Sequence, residues 1–169
     1  MEKYNWSLEK IYKNVDEARA EIKLCDEYVE RLAKEEKTVK NLRNIMELSE
    51  KANRLAEKLY TYAYMKRDED SRISEFQKLA LEVNSLGTRL SSAMAFFDPF
   101  LMELSNEELE NFYKEGDNEK YRVHFENILR FKPHTLSESE EELLANTSEM
   151  VGTGQNSFYM LSYADLDYG

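Results

Sequence analysis

An all-α fold, with long antiparallel helices forming a hairpin or bundle and several shorter helices after them, is what three features of this 169-residue sequence predict. Glycine and proline number only 5 and 2, so the chain carries few of the residues that turn or break a helix. Over the first hundred positions the apolar residues recur every three or four, the spacing that gathers them on one side of a helix. Strand-like alternation is almost absent. Its one candidate, Tyr60-Thr61-Tyr62, sits inside a strong helical pattern whose length decides for helix.

The first stripe is Val15, Ala18, Ile22, Cys25, Val29 and Leu32. Asn14 stands where a side chain can accept from the unpaired amides of the first turn, with Glu17 three residues on to reach back. The second stripe spans residues 38–67 and carries Val39, Leu42, Ile45, Met46, Ala52, Leu55, Ala56, Leu59, Tyr62 and Ala63. Such a helix is about 45 Å long at 1.5 Å per residue. Asp68-Glu69-Asp70-Ser71 breaks it and offers caps to the next helix. The third covers residues 72–97, with Phe76, Leu79, Val83, Leu86, Leu90, Met94 and Phe97 on one side. Asp98-Pro99 is expected to end it, because proline disfavours a helical residue before it. Short polar connections between helices this long make antiparallel neighbours the default.

The remainder divides into shorter pieces. Ser105 and Glu108 form a capping box, flanked by Leu104 and Leu109 as a hydrophobic staple, and open a helix that runs to residue 114. Gly116-Asp117-Asn118 breaks the chain before a helix at 120–131, which Lys132-Pro133 stops. Ser137-Glu138-Ser139-Glu140 is a second capping box for a helix to residue 146. Gly152-Thr153-Gly154 reads as a loop, and 156–164 as a last amphipathic piece. No repeat, linker or domain boundary is visible, so residues 1–169 read as one helical lobe.

Charge and composition exclude several partners. The net charge is −11 and the isoelectric point about 4.8, a surface that repels nucleic-acid phosphates and anionic lipid. The most apolar run, residues 93–97, is far too short to span a bilayer. The start, Met1-Glu2-Lys3-Tyr4-Asn5-Trp6, has no apolar core of a secretory signal. A single cysteine fits a reducing compartment. The expectation is a cytoplasmic protein that binds neither nucleic acid nor membrane.

No set of residues assembles a reaction centre. The two histidines, His124 and His134, are ten apart with Pro133 between them, whereas a helical zinc pair needs two histidines four apart on one face. Cys25 lies on the apolar stripe, where it acts as a small hydrophobe. Gly152-Thr153-Gly154-Gln155-Asn156-Ser157 lacks the preceding strand and the lysine of a phosphate cradle. Glu138, Glu140, Glu141 and Glu142 lack the alternating ligands of a calcium loop and suit the first turn of a helix. Tyr60 and Tyr64 share a helix face without a basic groove beside them, which makes them packing or interface residues. The residues therefore assign no catalytic, cofactor-binding or metal position.

Five segments carry a family resemblance, in order and over essentially the whole chain. Asn5-Trp6-Ser7-Leu8-Glu9-Lys10-Ile11-Tyr12 resembles the W-x-L-x-x-[IL]-[YF] opening of the oligoendopeptidase F family. Leu59-Tyr60-Thr61-Tyr62-Ala63-Tyr64-Met65-Lys66-Arg67-Asp68-Glu69-Asp70 is similar to its L-Y-x-Y-A-x-x-x-x-D-E-D hairpin segment. Ala93-Met94-Ala95-Phe96-Phe97-Asp98-Pro99 is similar to its S-x-F-[FE]-x-P segment. Leu129 through Glu141 resembles its R-x-K-P-H-x-L-S-x-x-E-E run, and Tyr163-Ala164-Asp165-Leu166 its N-A-D-[LM] continuation.

The resemblance implies a zinc endopeptidase of the cytoplasm that cleaves short peptides inside a deep helical channel, with the amino-terminal helices in the channel wall. It places the zinc-binding HExxH helix and its further Glu far beyond this region. The chain is then expected to be inactive alone, with no cofactor of its own and the catalytic domain as its partner. Phe158, Tyr159, Met160, Leu161, Tyr163, Leu166 and Tyr168 make the carboxy-terminal end unusually apolar, which reads as a cut and as a surface for self-association. The alternative is a free-standing helical interaction module. An enzyme in its own right stands third, because the inventory above supplies no reactive group.

Overall fold

The computed structural model of the chain describes residues 6–70 and 72–134, together with Gly154 and Phe158. It divides into two compact units, Met1–Ile128 and Leu129–Gly169. The fold is all-α, with no strand among the described residues.

In the first unit a short 3-10 turn, Leu8–Lys10, leads into helix α1, Val15–Lys34. Helix α2 runs from Leu42 to Glu69 and helix α3 from Ser74 to Met94. These three pack pairwise into a bundle. Every member of the α1 stripe is buried, as are Leu42, Ile45, Met46, Ala52, Leu59, Tyr62 and Ala63 on α2 and Leu79, Val83, Leu86 and Leu90 on α3. The apolar period thus settled which face of each helix points inward. Asn14 caps α1 by accepting from the Glu17 amide at 2.9 Å. The Glu17 carboxylate reaches back one residue further than a capping box requires and takes the Lys13 amide at 2.6 Å.

The opening turn and the α2–α3 hairpin close on each other. The Trp6 amide donates to Glu69 Oε1 at 2.9 Å, and Lys66 pairs with the other oxygen of that carboxylate at 3.0 Å. Tyr12 meets Tyr62 edge to face, with ring centroids 5.1 Å apart. The Tyr12 hydroxyl donates to Glu21 at 2.5 Å, Lys58 donates to the same carboxylate at 3.2 Å, and its ammonium lies 4.1 Å over the Tyr12 ring.

Four boundaries differ from the sequence expectation. The second helix begins with a 3-10 turn, Val39–Asn41, before α2 proper, and the third begins at Ser74. Pro99 does not close a helix. Helix α3 stops at Met94, and Pro99 is the third residue of a new short helix α4, Phe97–Glu103. The first-turn amides of a helix have no partner to lose, so proline is tolerated there. The segment expected as one helix at 120–131 is a 3-10 turn, Asn118–Tyr121, followed by helix α6, Arg122–Leu129.

Between them, helix α5, Asn106–Lys114, carries the full capping box at Ser105 and Glu108. Gly116 makes the following turn with φ +56°, a conformation that suits a residue without Cβ. Asn118 then donates to the Phe112 carbonyl at 3.0 Å, satisfying an acceptor at the α5 end. Phe97, Phe112, Tyr113 and Tyr121 surround the fully buried Phe125, with ring centroids 5.7–6.0 Å from it.

In the second unit Lys132–His134 forms a 3-10 turn, closed by the His134 amide on the Phe131 carbonyl at 2.8 Å. Gly154 is helical, although Gly152-Thr153-Gly154 reads as a loop. A glycine costs a helix only about 1 kcal/mol, which flanking residues can offset. Phe158 is also helical, and exposed. The helix expected at 137–146 and, apart from these two residues, the loop, the piece at 156–164 and the apolar tail lie outside the described residues.

Candidate functional site

Among the hollows of the bundle with room for a ligand or a partner is the outer groove between α2 and α3. It encloses about 770 Å³ among Ala56, Glu57, Tyr60 and Thr61 on α2 and Val83, Asn84, Gly87, Thr88 and Ser91 on α3. A second hollow of about 410 Å³ shares Ala56, Gly87 and Ser91 and carries the groove on past Ser49, Asn53 and Leu90 to Phe97, Asp98 and His124. The helical periods create it. Ala56, Gly87 and Ser91, small residues on the two facing helices, leave the space between them open.

Polar side chains in the groove are Glu57, Tyr60, Asn84 and Ser91, together with two threonines. The Thr61 hydroxyl donates to the Glu57 carbonyl at 2.9 Å, and the Thr88 hydroxyl to the Asn84 carbonyl at 3.2 Å. Both therefore turn their polar end into their own helix and their methyl group outward. The backbone amides along the groove are inside helices and already spent. At the rim, Tyr60 is 50% exposed and stacks on Tyr64 with centroids 4.0 Å apart. The Arg67 guanidinium lies 4.3 Å over the Tyr64 ring, so three residues form one ladder along α2.

Gly87 lies in the interior of α3, and a Cβ built there meets nothing within 4 Å. Its backbone needs no positive φ. Gly87→Ala is therefore expected to stabilise the chain by about 1 kcal/mol, through helix propensity and a less free unfolded state. A higher midpoint in urea checks this, and an unchanged or lower midpoint contradicts it.

The sequence singled out several other residues, and those among the described residues have a structural setting. Cys25 is buried, donates to the Ala52 carbonyl at 3.4 Å, and is pushed by desolvation up to about 11 from its ordinary 9.0. A thiol held protonated there is no nucleophile at neutral pH. His124 is exposed and stacks on Phe97 with centroids 6.4 Å apart. His134 is exposed in its 3-10 turn. Among the described residues no group of three or more His, Cys, Asp or Glu converges to hold a metal ion. No helix among them is long and apolar enough to cross a membrane. The groove itself was missed in the sequence. Its one legible trace is a glycine in mid-helix, which pattern reading treats as a blemish.

Comparison with known proteins gives a consistent set. A family model described as Oligopeptidase F matches residues 101–168. The match takes in α5 and α6 and leaves the three long helices outside. Group B oligopeptidase PepB of Streptococcus agalactiae is 37% identical over 127 residues, 75% of this chain and 21% of that protein. Oligopeptidase PepF of Bacillus subtilis is 31% identical over 168 residues, 96% of this chain and 25% of that protein. The chain thus spans about a quarter of the length of the curated relatives it matches. A crystal structure of a putative peptidase from Chlamydophila abortus shares the fold with a TM-score of 0.74 at 21% identity, covering 98% of this chain and 29% of that one. One of oligoendopeptidase-F from Enterococcus faecium gives a TM-score of 0.53 at 27% identity, over 95% of this chain and 30% of that one.

Proposed function

We infer that this chain, which belongs to the oligoendopeptidase F family as its amino-terminal region, is a helical scaffold lobe that shapes the access of short peptides to a catalytic part it does not itself carry. The observation that carries the reading is a mismatch of extents. Nearly the whole chain aligns with a relative, yet it spans only a quarter of that relative, and its two histidines, ten apart, leave no HExxH anywhere in the sequence. Zinc, in this reading, belongs to the catalytic part, where it supplies a Lewis acid and an activated water. The long helices contribute a rigid wall, because a bundle with buried stripes on three faces resists bending better than loops do. The setting is the cytoplasm, which suits a lone buried thiol. Self-association through the apolar tail belongs to the lobe when it is without its catalytic partner.

The test is enzymatic. The purified chain with added zinc is expected to leave quenched-fluorescence peptides intact. Grafted in place of the aligned amino-terminal quarter of the Bacillus subtilis oligopeptidase, it is expected to support their hydrolysis. Zinc-dependent cleavage by the chain alone overturns the reading. A stable graft that cleaves equally well with these residues deleted overturns it too, and favours the free-standing interaction module.

A further inference from the structure

We propose that the groove between α2 and α3 is the seat of an apolar helix from the catalytic part of the parent polypeptide, and that Gly87 marks where that helix crosses; this rests on the scaffold reading above. Four observations converge on it. The first is how the bundle is fastened. Among the described residues every ion pair that links two of the long helices has one end on α1: Arg19 with Glu75 and Glu82, Lys58 with Glu21, and Arg89 with Asp26. The α1 sides are thus rimmed with paired charge, while among the same residues no ion pair bridges α2 and α3 across the groove, whose floor is Ala56, Val83 and Gly87 with Glu57, Asn84 and Ser91 as polar neighbours.

The second is Gly87. A glycine in a helix interior costs stability, and nothing in this unit repays it, since the space above its Cα is open. Absence of a side chain there becomes useful once another backbone approaches closely. Ala56 on the facing helix and Ser91 one turn on keep the same space clear. The third is the polarity of the lining. An extended peptide takes its affinity from main-chain hydrogen bonds to an open backbone, and both walls of this groove are helices whose backbone groups are paired within them, with both threonine hydroxyls also spent, so that Glu57, Tyr60, Asn84 and Ser91 are its polar side chains. A helix has no such need, because its backbone is satisfied internally, and ridges of its side chains pack into a groove of this kind.

The fourth is the supply of polypeptide. In the Bacillus subtilis relative three quarters of the chain lies beyond the region matched here, and in the Chlamydophila abortus structure this fold is 29% of one longer chain. A partner covalently joined to the lobe binds at high effective concentration, so a shallow apolar groove suffices to hold it.

The test uses single-cysteine labelling. Cys25 is buried and reacts poorly, so Ser91→Cys in the groove and Lys23→Cys on the α1 side each present one reactive thiol. Maleimide labelling rates are compared for the chain alone and for the Bacillus subtilis graft. In the graft, the cysteine at 91 is expected to react at least about tenfold more slowly, the factor for a site open less than about a tenth of the time, while the one at 23 keeps its rate. Equal rates at 91 in a graft that cleaves peptides overturn the groove assignment and leave the scaffold reading standing. Equal rates in a graft that cleaves nothing overturn both. Protection at 91 in the isolated chain overturns the assignment as well: concentration-dependent protection identifies a second copy as occupant, and concentration-independent protection identifies this chain's own residues. Gly87→Leu is the second variant. It is expected to leave the isolated chain folded and to remove the protection at 91 in the graft, and full protection in this variant also overturns the proposal.

Discussion

Phe125→Ala is expected to lower the stability of the chain by about 3–5 kcal/mol, the range for emptying a fully enclosed phenylalanine site. The ring is 0% exposed and is met on every side by other rings. Phe112 and Tyr121 lie nearly parallel to it at 5.7 and 6.0 Å, and Phe97 and Tyr113 meet it at an angle at 5.8 and 6.0 Å. Four large neighbours on three different elements cannot collapse together into the space, so most of the cavity remains and its lining loses dispersion contacts. With a urea dependence of about 2 kcal/mol per molar, the midpoint falls by roughly 2 M. Val123, two residues earlier on the same helix, is 69% exposed, and Val123→Ala is expected to change stability by less than about 0.5 kcal/mol. A Phe125→Ala loss below about 1 kcal/mol shows that α5 and α6 do not form a packed core as described.

That core and the bundle were legible in the sequence to different degrees. The α1 stripe could be read residue by residue, because six apolar positions at helical spacing admit only one buried face. The α5 start was equally plain, since Ser105 and Glu108 state both halves of a local hydrogen-bond exchange. Pro99 was not legible in the same way. Proline ends a helix when it falls inside one and opens a helix when it falls in the first turn, and only the position of the preceding stop at Met94 decides which. Asn118 read as part of a break, while its amide in fact satisfies the end of α5. The groove was least legible. Its residues are widely spaced on two helices and become neighbours only when α2 and α3 pack with α1 on one side. Which side stays open depends on the third helix, a tertiary fact with no local signature.

Stability is expected to fall as pH rises above 10, and four buried tyrosines contribute to the loss. Tyr12, Tyr62, Tyr113 and Tyr121 are each at most 4% exposed, and in each desolvation is the first cause that raises the phenol above its ordinary value of 10.0. Tyr12 has a second cause, because its hydroxyl donates to the Glu21 carboxylate and its ionised form would face that charge. The sign follows from proton counting. Below pH 10 the phenols are protonated in both folded and unfolded chains, and these groups give stability no pH dependence. Above pH 10 the unfolded chain releases protons that the folded chain retains, so each group costs about 1.4 kcal/mol per pH unit. Cys25, raised from 9.0 to about 11, adds the same slope from pH 9. Each loss continues only until the folded group itself titrates, and the four phenols and the thiol all act in the same direction, so stability falls steadily above pH 10. Helicity and the tyrosinate absorbance of these groups are therefore expected to change in one cooperative step. Tyr12→Phe removes one proton from the count and is expected to flatten the slope of stability against pH. Its lost hydroxyl leaves Glu21 still paired with Lys58 at 3.2 Å, so the variant isolates the titration from the ion pair. A full tyrosinate titration centred on pH 10 with helicity unchanged contradicts the burial of these rings, and with it the packing of Tyr12 on Tyr62 that ties the opening turn to the hairpin.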